Sequence, residues 1–321
     1  MIKFKKITLI IMFLLILVSC KKENLEKEDI DVTINVEKPK EKETDYKITS
    51  MTFGGDLLID NIEKSDDYKI NTDKVNNYSS IEQGKFDIGI IPAYLGPYFN
   101  NKTNQAFEIA AITQTGELYM LSDTEIRGQE DLKGKNVFIP DPIGNISKVL
   151  DKKIGLFNLF LRLKIEYYPD INDIVSKSKS SNNFVSLLVE PYYSKAKKDN
   201  LYKTNLNTLL PIGKGELLRD IIIVNKNYLV NNKENFDKFL DLCKKSIEKI
   251  NQDPEISDSL CEKYKMSKEE LSKAIDKMDF SYIDKDTMKG TYQVFLERLK
   301  QIDESLLGEI KPSDSLYYID K

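Results

Sequence analysis

The sequence predicts an α/β protein with a two-lobed body, each lobe a mostly parallel sheet flanked by helices, and a helical C-terminal tail. Three observations predict it. Short apolar runs bounded by turn residues recur from residue 47 to residue 224, and several are apolar on both faces, as strands of a helix-covered sheet must be. A polar stretch, Asp123 to Lys135, interrupts them midway. The last third then changes to helical spacing.

In chain order, the first element is an export signal. Lys3, Lys5 and Lys6 are followed by an uncharged run from Ile7 to Ser19, which is too short to span a bilayer comfortably. Leu17-Val18-Ser19-Cys20 resembles the bacterial lipobox. That resemblance implies removal of residues 1–19 and acylation of Cys20 by palmitate-type chains, with membrane anchoring on the extracytoplasmic face. A plain signal peptide or transmembrane anchor with an incidental cysteine is the competing reading. Residues 20–45 are dominated by Lys, Glu and Asp, have almost nothing to bury, and are predicted to be a disordered, solvated tether.

The predicted strands are Lys47–Phe53, ending in Gly54-Gly55; Phe86–Ile91, ending at Pro92; and Phe107–Ile112, ending in Thr113-Gln114-Thr115. They continue with Asn136–Ile139 before Pro140, Phe184–Val189 before Glu190-Pro191, and Asp220–Val224. The polar stretch at 123–135 is read as the exit from one lobe and Leu217–Ile221 as the return. The division is therefore 46–122 for the first part of lobe 1, 123–217 for lobe 2, and 218–321 for the rest of lobe 1 with the tail. Two such crossings are the architecture of a hinge-closing binding protein. In the tail, Asp253-Pro254 reads as a helix start and Ser267 with Glu270 as a capping box. Phe236, Phe239, Leu240, Cys243, Ile247 and Ile250 form one core stripe; Met288, Tyr292, Phe295, Leu299 and Ile302 form another.

Composition narrows the function. Net charge is −4 and the pI about 5.4, so there is no basic footprint for nucleic acid. Histidine is absent, which excludes Ser-His and Cys-His nucleophiles, His-ligated zinc and a His proton shuttle. Trp is absent too, removing one common stacking platform. Cys243 and Cys261 fall within helical patterns and read as buried thiols rather than a disulfide or metal pair. No cofactor or metal is expected.

FDIGIIPAYLGPYF and the residues after it, then EDLKGKNVFIPDPIGNISKVL, resemble the solute-binding lipoproteins of ATP-driven (ABC) importers. The group concerned is the nitrate, sulfonate, taurine and thiamine-precursor type. The resemblance implies the two-lobed periplasmic binding protein fold (type II), with Asp131-Leu132-Lys133-Gly134-Lys135 opening the second lobe. Gly144-Asn145-Ile146-Ser147 then lies at a helix start and Glu190-Pro191 after a buried strand. It further implies a monomer that captures a small anionic or heterocyclic solute in an interlobe cleft and delivers it to an ABC permease in the membrane. Two features depart from the group: the Phe53–Asp56 loop lacks a longer proline-rich entry, and no arginine stands out as a ligand for nitrate or sulfonate.

Ligands of open α/β sheets meet the carboxyl ends of strands, which selects the candidate site. Gly54 and Gly55 read as close backbone approach to a ligand or as an ordinary turn. Ala93 and Tyr94 follow a strand, Tyr94 reading as a stacking ring or a core cap. Thr113, Gln114 and Thr115 could orient a ligand by hydrogen bonds. Gly144, Asn145 and Ser147 read as an anion cradle or as plain caps. Glu190 reads as a partner for a cation or N–H donor, or as an interlobe bridge. The expected function is that of a non-enzymatic receptor; the alternatives are an exported enzyme or a ligand sensor on the same scaffold.

Overall fold

The structure, a computed structural model, describes residues 44–72, 77–116, 119–140, 162–197, 200–205, 217–302 and 313–319. Cys20, nearly all of the tether, and Gly144, Asn145 and Ser147 lie outside the described residues. All described residues belong to one compact unit, Lys42–Lys321.

Two sheets form the body. The first comprises β1 (Thr44–Ser50), β2 (Tyr68–Thr72), β3 (Ile88–Pro92), β4 (Phe107–Thr115), β10 (Leu218–Asn225) and β11 (Asp279–Asp284), in the order β11-β4-β10-β3-β1-β2. The second comprises β5 (Tyr119–Ser122), β6 (Asn136–Pro140), β7 (Lys164–Tyr168), β8 (Phe184–Leu188) and β9 (Tyr202–Asn205), in the order β7-β6-β8-β5-β9. Strands β1 to β4 share one direction, whereas β10 and β11 run against them. In the second sheet only β5 opposes the rest. Most strands of each sheet are thus codirectional, but β10, inserted between β3 and β4, makes both of its pairings antiparallel.

The apolar runs explain this burial. Ile222 and Val224 of β10 enter one core with Ile88, Ile90 and Phe239, while Ile221 and Ile223 enter another with Ile91, Ile112 and Tyr292. A strand buried on both faces needs apolar residues at every position, and Asp220-Ile221-Ile222-Ile223-Val224 supplies them after its first residue. The second sheet has its own core, including Leu121, Phe138, Phe184 and Tyr193.

The helices follow their stripes. α1 (Phe53–Asp60), α2 (Asn77–Glu82), α3 (Gly96–Lys102), α4 (Ile171–Ser180) and α5 (Tyr192–Ala196) connect the strands. The tail contains α6 (Lys226–Ile250), α7 (Asp258–Tyr264), α8 (Lys268–Ile275) and α9 (Lys285–Ile302). Phe236, Phe239, Leu240, Cys243, Ile247 and Ile250 are buried along α6, and Met288, Tyr292, Phe295 and Leu299 along α9. Ser246 Oγ donates to Leu58 O at 2.6 Å, tying α6 to α1. The capping box of Ser267 and Glu270 starts α8. Cys243 and Cys261 are both free.

Four local expectations differ from the structure. Phe53 does not end a strand: Thr52 has extended backbone and its hydroxyl accepts from Gly55 N, so a helix begins at Phe53. Thr113, Gln114 and Thr115 lie within β4, which bonds along their length to β10 and β11. Pro254 precedes an irregular segment, and Ser257 caps α7 instead. Strand β5, which precedes the polar stretch 123–135, pairs with β8 and β9 and so belongs to the second sheet. That stretch instead anchors the second sheet: Lys135, 4% exposed, lies 3.2 Å from Asp123 and donates to Asn183 Oδ1. Burial alone would raise the Asp123 carboxyl, but the Asn183 N–H, Lys135 and the Phe184 N–H hold it below the usual carboxylate range.

Candidate functional site

The carboxyl end of the first sheet carries a polar cluster centred on Asp220, at the start of β10. In the ladder Asp220 stands opposite Pro92 of β3 and Gln114 of β4. Its side chain lies on the α1 face, where Thr52 Oγ1 donates to Asp220 Oδ2 at 2.7 Å. Gly54, in the first turn of α1, lets this face close. A Cβ there would collide with Asp220 Oδ2 and lie 2.7 Å from Gln114 Oε1. A Cβ on Gly55 would press on Ile90 and Ser50 Oγ.

Asp220 is 3% exposed and Gln114 6%. Among the described residues, the carboxylate has the Thr52 hydroxyl as its side-chain partner and no ion pair, and the Gln114 amide has no side-chain hydrogen bond. Burial lifts the Asp220 carboxyl to about 6, with Asp56 adding to the rise while the Thr52 bond and Arg219 oppose it. Arg219, the preceding residue, is half-buried on the other face of β10, beside Tyr94 and Gly116, and has no ion-pair partner among the described residues. Burial lowers its guanidinium from the ordinary value, with Asp220 and Tyr94 opposing.

A second group adjoins the first turn of α1. Tyr264 Oη donates to Asp56 Oδ2 at 2.6 Å, and Lys263 Nζ lies 2.5 Å from the same oxygen. The Tyr264 ring meets Phe53 edge-on at 4.8 Å and Tyr192 of α5 at 5.9 Å. Burial first, and then Asp56, push the Tyr264 phenol well up, keeping it a protonated donor. Tyr192 belongs to the helix following β8, so this aromatic contact joins the two sheet systems. Two lysines reinforce it. Lys195 Nζ donates to Tyr264 O at 2.8 Å, and Lys277 Nζ donates to Ser194 Oγ at 2.7 Å and lies 3.7 Å from Glu190 Oε1. A cavity of about 840 Å³ opens beside α1, β2 and α7. Ser50, Asp56 and Lys263 line it, but Asp220 and Gln114 lie outside its lining.

The structure thus brings Gly54 and Gln114 together, and Thr113 joins them through its hydroxyl, 3.4 Å from the Asp220 carbonyl. Thr115 lies further along β4, opposite Leu218 and Asp279. Ala93 is fully buried, and its carbonyl accepts from Tyr292 Oη at 2.9 Å. Tyr94 is 40% exposed near Arg219. The Glu190 carboxylate accepts from Ser194 N and Ser194 Oγ, capping α5, and so is already engaged. Thr52, Asp56, Arg219, Asp220, Tyr192 and Tyr264 were missed in the sequence. For Asp220 a signal existed: a carboxylate at the head of an otherwise apolar, doubly buried strand.

Two helix-flanked sheets joined by two chain crossings, with a polar cluster at the carboxyl end of one, define the fold of the periplasmic solute-binding proteins. Solved structures share it. An ABC transporter structure from Parabacteroides distasonis superimposes with a TM-score of 0.62 at 15% identity, covering 87% of this chain and 100% of that one. The ligand-binding component of an ABC-type import system from Staphylococcus aureus, with zinc bound, gives 0.60 at 15% identity, covering 86% and 97%. The periplasmic aliphatic sulphonate binding protein SsuA from Escherichia coli gives 0.59 at 11% identity, covering 84% and 95%. These are named as transport components rather than enzymes; at such identities the likeness is one of fold. No family model and no curated protein matches the sequence. Among the described residues, no helix is long and apolar enough to cross a membrane, and no group of three or more Cys, Asp or Glu side chains is placed to hold a metal ion.

Proposed function

We propose that this chain is an extracytoplasmic solute-binding lipoprotein of an ABC importer. It captures a small charged or heterocyclic solute and delivers it to a permease in the membrane. Strands β1–β4, with β10 and the tail, form one lobe and β5–β9 the other. The solute binds without turnover, the receptor acts as a monomer, and a lipid on Cys20 holds it near its permease. The observation that carries this reading is the cluster at the carboxyl end of the first sheet. Asp220 and Gln114 are largely buried there, with the Thr52 hydroxyl the one side-chain hydrogen-bond partner of the two among the described residues, which leaves acceptors for a bound solute. The fold shared with importer components supports the same reading.

Native mass spectrometry of the full chain purified from its host tests it, expecting one co-purifying small molecule at unit stoichiometry. Saturable thermal stabilisation by that molecule should follow, because a ligand of the native state raises apparent stability. Absence of any ligand, or accumulation of a reaction product, would refute the receptor role. Anchoring is tested separately by metabolic labelling with palmitate, which Cys20→Ala should abolish.

A further inference from the structure

We infer that the solute presents a protonated amine, or a paired N–H face such as an amidine-like heterocycle, to Asp220 and Gln114. The inference rests on the solute-binding reading and specifies the chemistry of that site.

The argument begins with the sign of the groups that converge. Asp220 Oδ2 and Gln114 Oε1 both border the space that a Cβ on Gly54 would occupy, so two acceptor oxygens lie over the start of α1. Thr52 Oγ1 supplies one donor to this pair. Asp220 forms no ion pair among the described residues, although it is almost entirely buried, and an uncompensated buried carboxylate is costly. The Gln114 amide is the independent second observation. It is more than nine-tenths buried, has no side-chain hydrogen bond among the described residues, and points at the same glycine. A ligand bringing N–H donors would satisfy both oxygens and neutralise the charge.

The surroundings favour the same sign. Asp56 lies in the same helical turn, and Tyr264 carries an aromatic ring against Phe53 nearby. An anion placed against this face would meet the buried Asp220 carboxylate, while Asp56 is already paired with Lys263 and Tyr264. Arg219 is the opposing charge, but it lies on the other face of β10, towards Tyr94, and makes no ion pair with Asp220. It could take an acidic group of the solute without changing what faces Asp220.

The test titrates the full chain with spermidine, methylguanidine and 4-aminopyrimidine, and in parallel with ethanesulfonate, nitrate and sulfate, reading thermal shift and calorimetric affinity. Any co-purifying molecule is identified by mass spectrometry. The expected result is stabilisation by an N–H-bearing probe or recovery of a ligand with a basic nitrogen. Asp220→Asn should then weaken binding roughly tenfold or more, the scale of one charge-assisted hydrogen bond. Gln114→Leu should weaken it severalfold, providing a second variant whose fold does not depend on Asp220. The inference is overturned if an anion binds and D220N leaves its affinity unchanged or tightens it, or if the recovered ligand has no N–H donor. If neither probe set binds and no ligand is recovered, the solute-binding reading itself fails, and this inference with it.

Discussion

Replacing Asp220 by Asn should make the ligand-free protein more stable at neutral pH while impairing its site. The native carboxyl is lifted to about 6 by burial, against an ordinary value of 3.8. Between these two values the native state holds more protons than the unfolded chain, so stability falls as pH rises through that window. The contribution is fully present below the unfolded value and lost above about pH 6. A rise of roughly two pH units corresponds to about 3 kcal/mol at pH 7.5. The groups acting on the carboxyl are Thr52 and Asp56 of the α1 start, Gln114 on β4, Tyr264 on α7 and, from the other face of β10, Arg219, and all of them remain in the variant. Asn still accepts the Thr52 hydroxyl proton, and the charge assistance it gives up is already contained in the carboxyl's shift. The gain is about 3 kcal/mol at pH 7.5, shrinking to nothing near pH 4. Urea denaturation of both proteins at pH 7.5, 6 and 4.5 would measure it, followed by tyrosine fluorescence because the chain has no Trp. A variant less stable than the parent at pH 7.5, or a gain that does not change with pH, would refute the reasoning.

Three further changes test the architecture. Gly54→Ala should destabilise by about 1–3 kcal/mol in thermal denaturation, because its methyl group would collide with Asp220 and crowd Gln114. Glu190→Ala removes the acceptor for Ser194 N and the partner of Lys277; about 1 kcal/mol should be lost, with faster amide exchange at the start of α5. Lys135→Ala should cost roughly 3 kcal/mol by leaving Asp123 without its cation. Asp123 is held below the usual carboxylate range, so its stabilisation is present above the unfolded value and lost as pH falls through the native one. That acid-side loss, followed by circular dichroism, should be smaller in the K135A variant.

Much of the fold was legible because its signals are local. An apolar run such as Ile221-Ile222-Ile223-Val224 declares a strand buried on both faces whatever its neighbours are. Helical stripes and the Ser267–Glu270 box likewise depend on residues a turn or two apart. The weaker strands β2, β7 and β9 were not legible, since their partly exposed, polar sequences acquire strand geometry only from the ladders they join. Thr52 shows how a single cap can override a pattern: Lys47 to Phe53 reads as one strand, but the hydroxyl bonding to Gly55 N starts a helix inside it.

By itself the sequence determined an α/β body with a helical tail, and a chemistry without histidine. It could also single out Gly54 and Gln114 as residues to watch. Only the tertiary structure decided what they surround. Gly54, Gln114 and Asp220 come from three elements more than fifty residues apart, and they meet because β10 runs antiparallel between β3 and β4. Irregularities on both sides of Asp220 set it opposite Gln114. Register between distant strands is fixed by packing of whole faces, which no local pattern records. The charge at the centre of the candidate site is therefore a property of the assembled sheet.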